Sequence, residues 1–171
     1  MLGSLPHVLM AKNSKSTSVP RDQFIAGLHE FIEIPAFDAG MKAKLDTGAT
    51  TSSMSAGDIE RFEKDGQPWV RFRLLAKGYE DQWHELPVAR VSRIKRRAEE
   101  GPGHSGLGYS ERPVVELPIR LGSHEQTIQV GLTDRSRFLY PFLLGASGLK
   151  SFGVIVDPSA SYLLGKKPSK N

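Results

Sequence analysis

The sequence predicts a mostly β fold, a barrel or sandwich of short strands, and three observations carry that expectation. Apolar and polar residues alternate over short runs, most strictly in Trp69-Val70-Arg71-Phe72-Arg73-Leu74. Turn residues punctuate those runs closely, and 17 Gly with 11 Pro are many for a helical bundle. Windows with helical periodicity are scarce. A body of this length, 171 residues in all, suits one domain.

Taken in order, residues 1–21 read as a disordered leader, because Lys12 to Ser18 is polar and aperiodic. Asp22 to Glu30 is expected to form a short helical turn. Phe31 to Ile34 alternates as a strand and stops at Pro35. Asp38-Ala39-Gly40 is a turn signal, and Met41 to Leu45 is the next strand. Ser55 to Lys64 reads as a second helical segment, with Ser55 or Asp58 as N-cap. Lys64 to Gln67 is a turn, followed by the strand Trp69–Leu74. Leu86 to Ile94 and Val114 to Leu121 are further strands, the latter closing at Gly122 and pairing with Thr127 to Leu132. Phe142-Leu143-Leu144-Gly145, Val154 to Val156 and Tyr162 to Leu164 complete the β segments. The folded domain is expected over 22–165, with a basic tail at 166–171.

Composition limits the chemistry. The chain has no cysteine, which excludes a disulfide framework, thiolate zinc sites and a cysteine nucleophile. Its net charge of +4 favours acidic partners. No apolar run reaches the length of a membrane span, and the short patch Leu5 to Ala11 lacks a preceding basic region. A soluble, cytoplasmic protein without membrane partners is the expectation.

Most motif fragments fail on context. Gly101-Pro102-Gly103-His104-Ser105-Gly106 spells a dinucleotide loop, but no strand leads straight into it and no helix opens after it. His84-Glu85-Leu86-Pro87-Val88 lacks the second His of a zinc helix, and Pro87 would break such a helix. Arg90, Arg93, Lys95, Arg96 and Arg97 form a basic run without the interleaved aromatics or recognition helix of a specific nucleic-acid binder. Gly145-Ala146-Ser147-Gly148 has the wrong spacing for a serine elbow.

One stretch remains. The strand Met41–Leu45 ends in Asp46, and Thr47-Gly48-Ala49-Thr50-Thr51-Ser52 follows at once. A carboxylate adds little to a core, whereas an ionisable group at a strand end beside a Gly is a common way to build a site. Asp, Thr and Gly are also ordinary turn residues. About 95 residues later, Phe142-Leu143-Leu144-Gly145 runs through Leu149 to Phe152-Gly153-Val154-Ile155-Val156-Asp157. The pairing resembles the retropepsin-like aspartic peptidases.

The frame from Phe31 to Gly165 is further similar to the small bacterial retropepsin-like family long labelled "ATP-dependent zinc protease". The matching parts are Lys42 to Ser52, Phe62 to Gly66 with Trp69 to Phe72, Glu111 to Val115, Leu143 to Gly145, and Val156 to Ser159 with Ser161 to Leu163. The chain departs from the family at Thr50 and Ala146, where Arg is usual, and at Ser53-Met54-Ser55, where Ala-Leu-His is usual.

The resemblance implies a closed β-barrel of the acid-protease fold, one lobe per chain, with one or two short helices. It implies an aspartic endopeptidase using Asp46 as the catalytic carboxylate, with Thr47, Gly48 and Ala49 supporting the loop and Leu143, Leu144 and Gly145 beside it. Such enzymes need two carboxylates sharing a proton. At about 3 Å and an effective dielectric of about 20, two charges repel by roughly 5.5 kcal/mol, so only one ionises. The chain has one Asp-Thr-Gly and no Asp-Ser-Gly, and Asp134 and Asp157 are followed by Arg135 and Pro158. An active aspartic peptidase therefore requires a homodimer, with Asp46 from each copy.

By the same resemblance, Gly101 to Tyr109 is the candidate flap, through Gly103, Gly106, Gly108 and Tyr109, with Arg97 and Arg112 as substrate-binding residues at its ends. The implied substrate is a peptide or protein, with glutamate tails as a specific form and an ATP-grasp glutamate ligase as a partner. No cofactor and no metal are expected. Two other readings stay open: a non-catalytic peptide-binding or regulatory module, and the metal-dependent hydrolase of the old label.

Overall fold

A computed structural model describes residues 22–95 and 108–165, which contain ten strands, one short α-helix and a single 3-10 turn at Pro35–Phe37. In chain order these are β1 (Phe24–Ile34), β2 (Ala39–Asp46), β3 (Ser52–Lys64), β4 (Gln67–Leu74), β5 (Trp83–Pro87), β6 (Arg90–Lys95), β7 (Tyr109–Leu121), β8 (His124–Thr133), β9 (Phe142–Gly145), α1 (Ala146–Phe152) and β10 (Val154–Ser161). Strands β1, β2, β9, β3, β8 and β7 are hydrogen-bonded in that order, and β7 returns to β1 through Ile32 opposite Leu121 and Glu33 opposite Arg120. This closes a barrel of the expected class. Closure removes the exposed edges that an open sheet of these strands would leave.

The barrel interior follows from alternation. Ile32, Ile34, Leu45, Met54, Leu117, Ile119, Leu121, Leu132, Phe142 and Leu144 point inward and are fully buried. Long strands also reach beyond the barrel. The N-terminal half of β1 pairs in parallel with β10, the second half of β3 pairs with β4, and the first residues of β7 pair with β6. Helix α1 packs on the barrel with Leu149 and Phe152 buried, and ends at Gly153 in the left-handed conformation (φ 69°).

Both expected helical segments are strands. Residues 24–30 belong to β1, because pairing with β10 and β2 and burial of Ala26 and Glu30 override a weak local preference. Residues 55–64 belong to β3, where Phe62 faces Trp69 and Glu60 faces Arg71 on β4. The signal for this hairpin was Asp65-Gly66, whose φ values of 52° and 73° match a two-residue turn with both central residues left-handed. A bulge between Gly57 and Glu60 lets β3 leave the barrel.

Two further expectations are corrected. Leu86–Ile94 is not one strand: Val88 donates to the Pro68 carbonyl and Ala89 to that of Val114, so the chain crosses there from β4 to β7. Tyr162–Leu164 is a turn, with Tyr162 at φ 57°. Glu30 explains it. This fully buried carboxylate accepts hydrogen bonds from the backbone N–H groups of Gly27 (2.7 Å), Leu163 (2.9 Å) and Leu164 (3.3 Å). Gly27 is obligatory at the same place, since a Cβ there would lie 2.6 Å from the Ala160 carbonyl oxygen.

His84 on β5 stacks on Phe37 at 3.9 Å, and its Nε2 is buried without a partner among the described residues. Burial holds its pKa below the ordinary 6.5. The unfolded chain therefore binds the proton first as pH falls, and stability contributed above about pH 6.5 is lost on acidification. Thermal unfolding followed from about pH 7.5 to 5 should fall less steeply in His84→Phe than in the unsubstituted chain. Chemical denaturation should show Glu30→Ala destabilised by about 2–4 kcal/mol, because three backbone donors lose their buried acceptor.

Candidate active site

Asp46 is the last residue of β2, and alternation decides where it points. Met41, Ala43 and Leu45 face the core, so Lys42, Lys44 and Asp46 face outward. The site exists because β9 inserts between β2 and β3. It runs parallel to β2, with Lys44 opposite Leu143 and Asp46 opposite Gly145, and antiparallel to β3, with Ser53 opposite Leu143. Leu144 is buried and Leu143 lies half-buried on the outer face beside Lys44.

Residues 47–51 leave β2 and fold back over Gly145. Ala146 N–H donates to the Ala49 carbonyl at 2.7 Å, and Ser147 N–H to the Thr50 carbonyl at 3.0 Å. The buried Ser52 hydroxyl accepts the Gly145 N–H at 3.0 Å. At Gly145 a Cβ would stand 2.8 Å from the Thr51 carbonyl carbon and 2.9 Å from the Ala49 oxygen, so only glycine fits. The Asp46 side chain, 29% exposed, is oriented by the Gly48 N–H, which donates to Oδ1 at 2.9 Å. Lys44 Nζ lies 4.0 Å from Oδ2. Thr47, Gly48 and Thr50 are exposed at the tip of this loop.

The sequence-predicted residues divide sharply. Asp46 to Ala49 and Leu143 to Gly145 come together as one interlocked pair of segments. Gly108 directly precedes β7, and Tyr109 opens it opposite Lys95, largely exposed. Arg112 is on the same strand, opposite Ser92 on β6. Gly103, Gly106 and Arg97 lie outside the described residues.

Sequence reasoning named Arg90 only within a basic run and did not place it or Arg135 at this loop. Arg135, on the β8–β9 connection, is seated by Ser53 and Ser55. Its Nη1 donates to Ser53 Oγ and its backbone N–H to Ser55 Oγ, both at 3.0 Å, while Nε donates to the Tyr140 carbonyl at 3.3 Å. Burial, with the nearby Arg112, lowers the Arg135 pKa from its ordinary value, and Asp46 opposes that change. Arg135 thus lies within electrostatic range of both.

Arg90, from β6, donates to Thr51 Oγ1 at 3.1 Å and to Gln129 Oε1 at 2.8 Å. His29 is opposite Lys44 on the neighbouring strand and stacks on Tyr140 at 4.4 Å. Basic side chains therefore reach the site from β1, β2, β6 and the β8–β9 connection, although Thr50 and Ala146 supply none. The signal was available only in part: Ser53 and Ser55 marked an unusual polar pair, but nothing local tied them to residue 135.

His84 packs against Phe37 and Phe72 on strand β5, away from any helix that could present a metal pair. Among the described residues no three His, Asp or Glu side chains cluster in a way that could hold a metal ion. Nor is any helix among them long and apolar enough to cross a membrane.

Comparison with known proteins agrees with this architecture. A crystal structure of a Legionella pneumophila protein of unknown function is similar with a TM-score of 0.67 and 36% identity, covering 82% of this chain and 97% of that one. Proteins named probable alpha-L-glutamate ligase are 34% identical in Shewanella pealeana and 30% identical in Parasynechococcus marenigrum, over 85% and 84% of this chain. The chain spans only 31% and 30% of those two proteins. The family described as retropepsin-like aspartic endopeptidase RimB matches residues 25–167, and this chain belongs to that RimB-like family.

Proposed function

We propose that the chain is an aspartic peptidase that works as a homodimer, each copy contributing Asp46. The observation that carries this reading is the outward-facing Asp46 on an exposed loop locked by Gly145, in a chain with one Asp-Thr-Gly. One loop supplies half of an acid–base pair, and a two-fold axis beside it would supply the other half. Thr47, exposed at the loop tip, would bond across that axis, and Gly48 would let the two backbones approach.

In the dimer a water molecule would sit between the carboxylates. The ionised one takes a proton from the water as its oxygen bonds to the scissile carbonyl carbon, and the protonated one gives its proton to the carbonyl oxygen. The carbon–nitrogen bond then breaks. The nitrogen leaves with a proton returned by the first carboxyl group, and the second recovers its proton as the new carboxylic acid forms. A low-dielectric cleft between the lobes would strengthen both transfers.

Acidic peptides, including glutamate tails, are the proposed substrates in a cytoplasmic setting. Support comes from the basic residues His29, Lys44, Arg90 and Arg135 around the Asp46 loop, and from relatives named as glutamate ligases. Those same relatives favour a second reading. As a segment matching about a third of their length, the chain could serve as a peptide-holding or regulatory module for a glutamate ligase, without cleavage of its own.

Cleavage of an oligoglutamate-tailed peptide decides between them. Asp46→Asn should lower the rate at least about a thousandfold, with no sensitivity to chelator, and the active species should sediment as a dimer. Equal inactivity of both proteins as dimers would favour the regulatory module, and chelator sensitivity with bound metal would favour a hydrolase of the old label. Gly145→Ala should cost about 1–3 kcal/mol in unfolding free energy and reduce turnover, because the Thr47–Thr51 loop must move away from β9.

A further inference from the structure

A cavity of about 480 Å³ opens on the outer face of the barrel, beside the strand that carries Asp46. Phe31, Leu75, Phe138 and Pro141 give it an apolar wall. The charged residues lining it are Lys42, Lys77 and Arg135, and no carboxylate lines it. Lys42 stands four residues before Asp46 on the same outward face, about 13 Å along the strand. An extended peptide with its scissile bond at Asp46 would cover that distance in about four residues.

Arg135 is the feature that makes this more than an apolar hollow. Its guanidinium is partly buried, stacked on Phe138 with Cζ 4.6 Å from the ring centroid, and held by Ser53 and the Tyr140 carbonyl. No carboxylate among the described residues lies within ion-pair distance of it. Nη2 makes no hydrogen bond within the described protein, so the Nη1–Nη2 edge keeps donors for a planar anion. A cation placed in this way, fixed by neutral oxygens and acted on by Asp46 only from beyond ion-pair distance, keeps its free donors for an incoming carboxylate.

We infer that Arg135 is a specificity-determining residue, binding the carboxylate of an acidic substrate side chain whose methylenes lie against Phe138 and Pro141. Lys42 and Lys77 at the margin add attraction for flanking acids. This deepens the peptidase reading and rests on it for the location of the scissile bond, but binding can be tested without cleavage.

The experiment uses the full chain carrying Asp46→Asn, a fluorescent oligoglutamate peptide and its oligoglutamine counterpart, with anisotropy as the readout. The glutamate peptide should bind about ten- to a hundredfold more tightly than the glutamine peptide. Arg135→Gln should reduce that ratio to about threefold or less, and Arg135→Lys should restore part of it by keeping charge without the planar fork. On the unsubstituted chain, the glutamate peptide alone should protect Arg135 from phenylglyoxal, read by mass spectrometry, which needs no variant to fold.

Equal affinity for the two peptides, a ratio kept in a folded Arg135→Gln protein, or no protection would overturn the assignment. Its failure is distinct from failure of the peptidase reading. Asp46-dependent cleavage without preference for glutamate would remove the Arg135 subsite and leave the peptidase. Arg135-dependent binding with no cleavage by the unsubstituted dimer would do the reverse.

Discussion

The contact of Gly145 with the backbone of Ala49 and Thr51 is the constraint on which the site depends. Nothing larger than hydrogen fits between them. That approach places two main-chain hydrogen bonds and the buried Ser52 hydroxyl across one junction. The loop bearing Asp46 is thereby fixed to β9, and β9 is fixed between two barrel strands. A loop tied only by its own ends would sample many conformations. This one is held by the barrel core, since Leu45, Phe142 and Leu144 on the inward faces of the same strands are fully buried.

A second constraint acts at the opposite end of the chain. Glu30 is an ionisable group buried inside the fold, and it stays there because three backbone donors surround one carboxylate. It fixes the turn after β10 to β1 and helps keep the two strands in parallel register despite the irregularity after Gly27. The parallel pairing of β1 with β10 and of β2 with β9 brings distant parts of the sequence together on one side of the barrel. His29 on β1 and Lys44 on β2 are neighbours through the antiparallel pairing of those two strands.

The electrostatics around Asp46 follow from the same topology. Thr50 and Ala146 bring no charge to the loop, yet Arg90 meets Thr51 from β6 and Arg135 lies on the β8–β9 connection, seated by Ser53. Ser53 and Ser55 provide the oxygens that seat Arg135. Positive charge is supplied from different positions in the chain.

The sequence by itself determined the β class, the turn chemistry at Asp65-Gly66 and Gly122, and the pairing of Asp46-Thr47-Gly48-Ala49 with Leu143-Leu144-Gly145 as a family mark. Those features are local: alternation of period two, residues that tolerate positive φ, and short motifs. It misassigned residues 22–30 as helical because that stretch takes its strand identity partly from distant β10, and 55–64 because the adjacent hairpin partner β4 overrides a weak local preference. Only the tertiary structure decided that Tyr162–Leu164 turns onto Glu30, because a buried carboxylate needs donors that no local pattern announces. Only the tertiary structure brought Arg90 and Arg135 to the loop. Residue 135 follows Asp46 by almost ninety positions, and their proximity is a property of strand order, which alternation along one segment cannot encode.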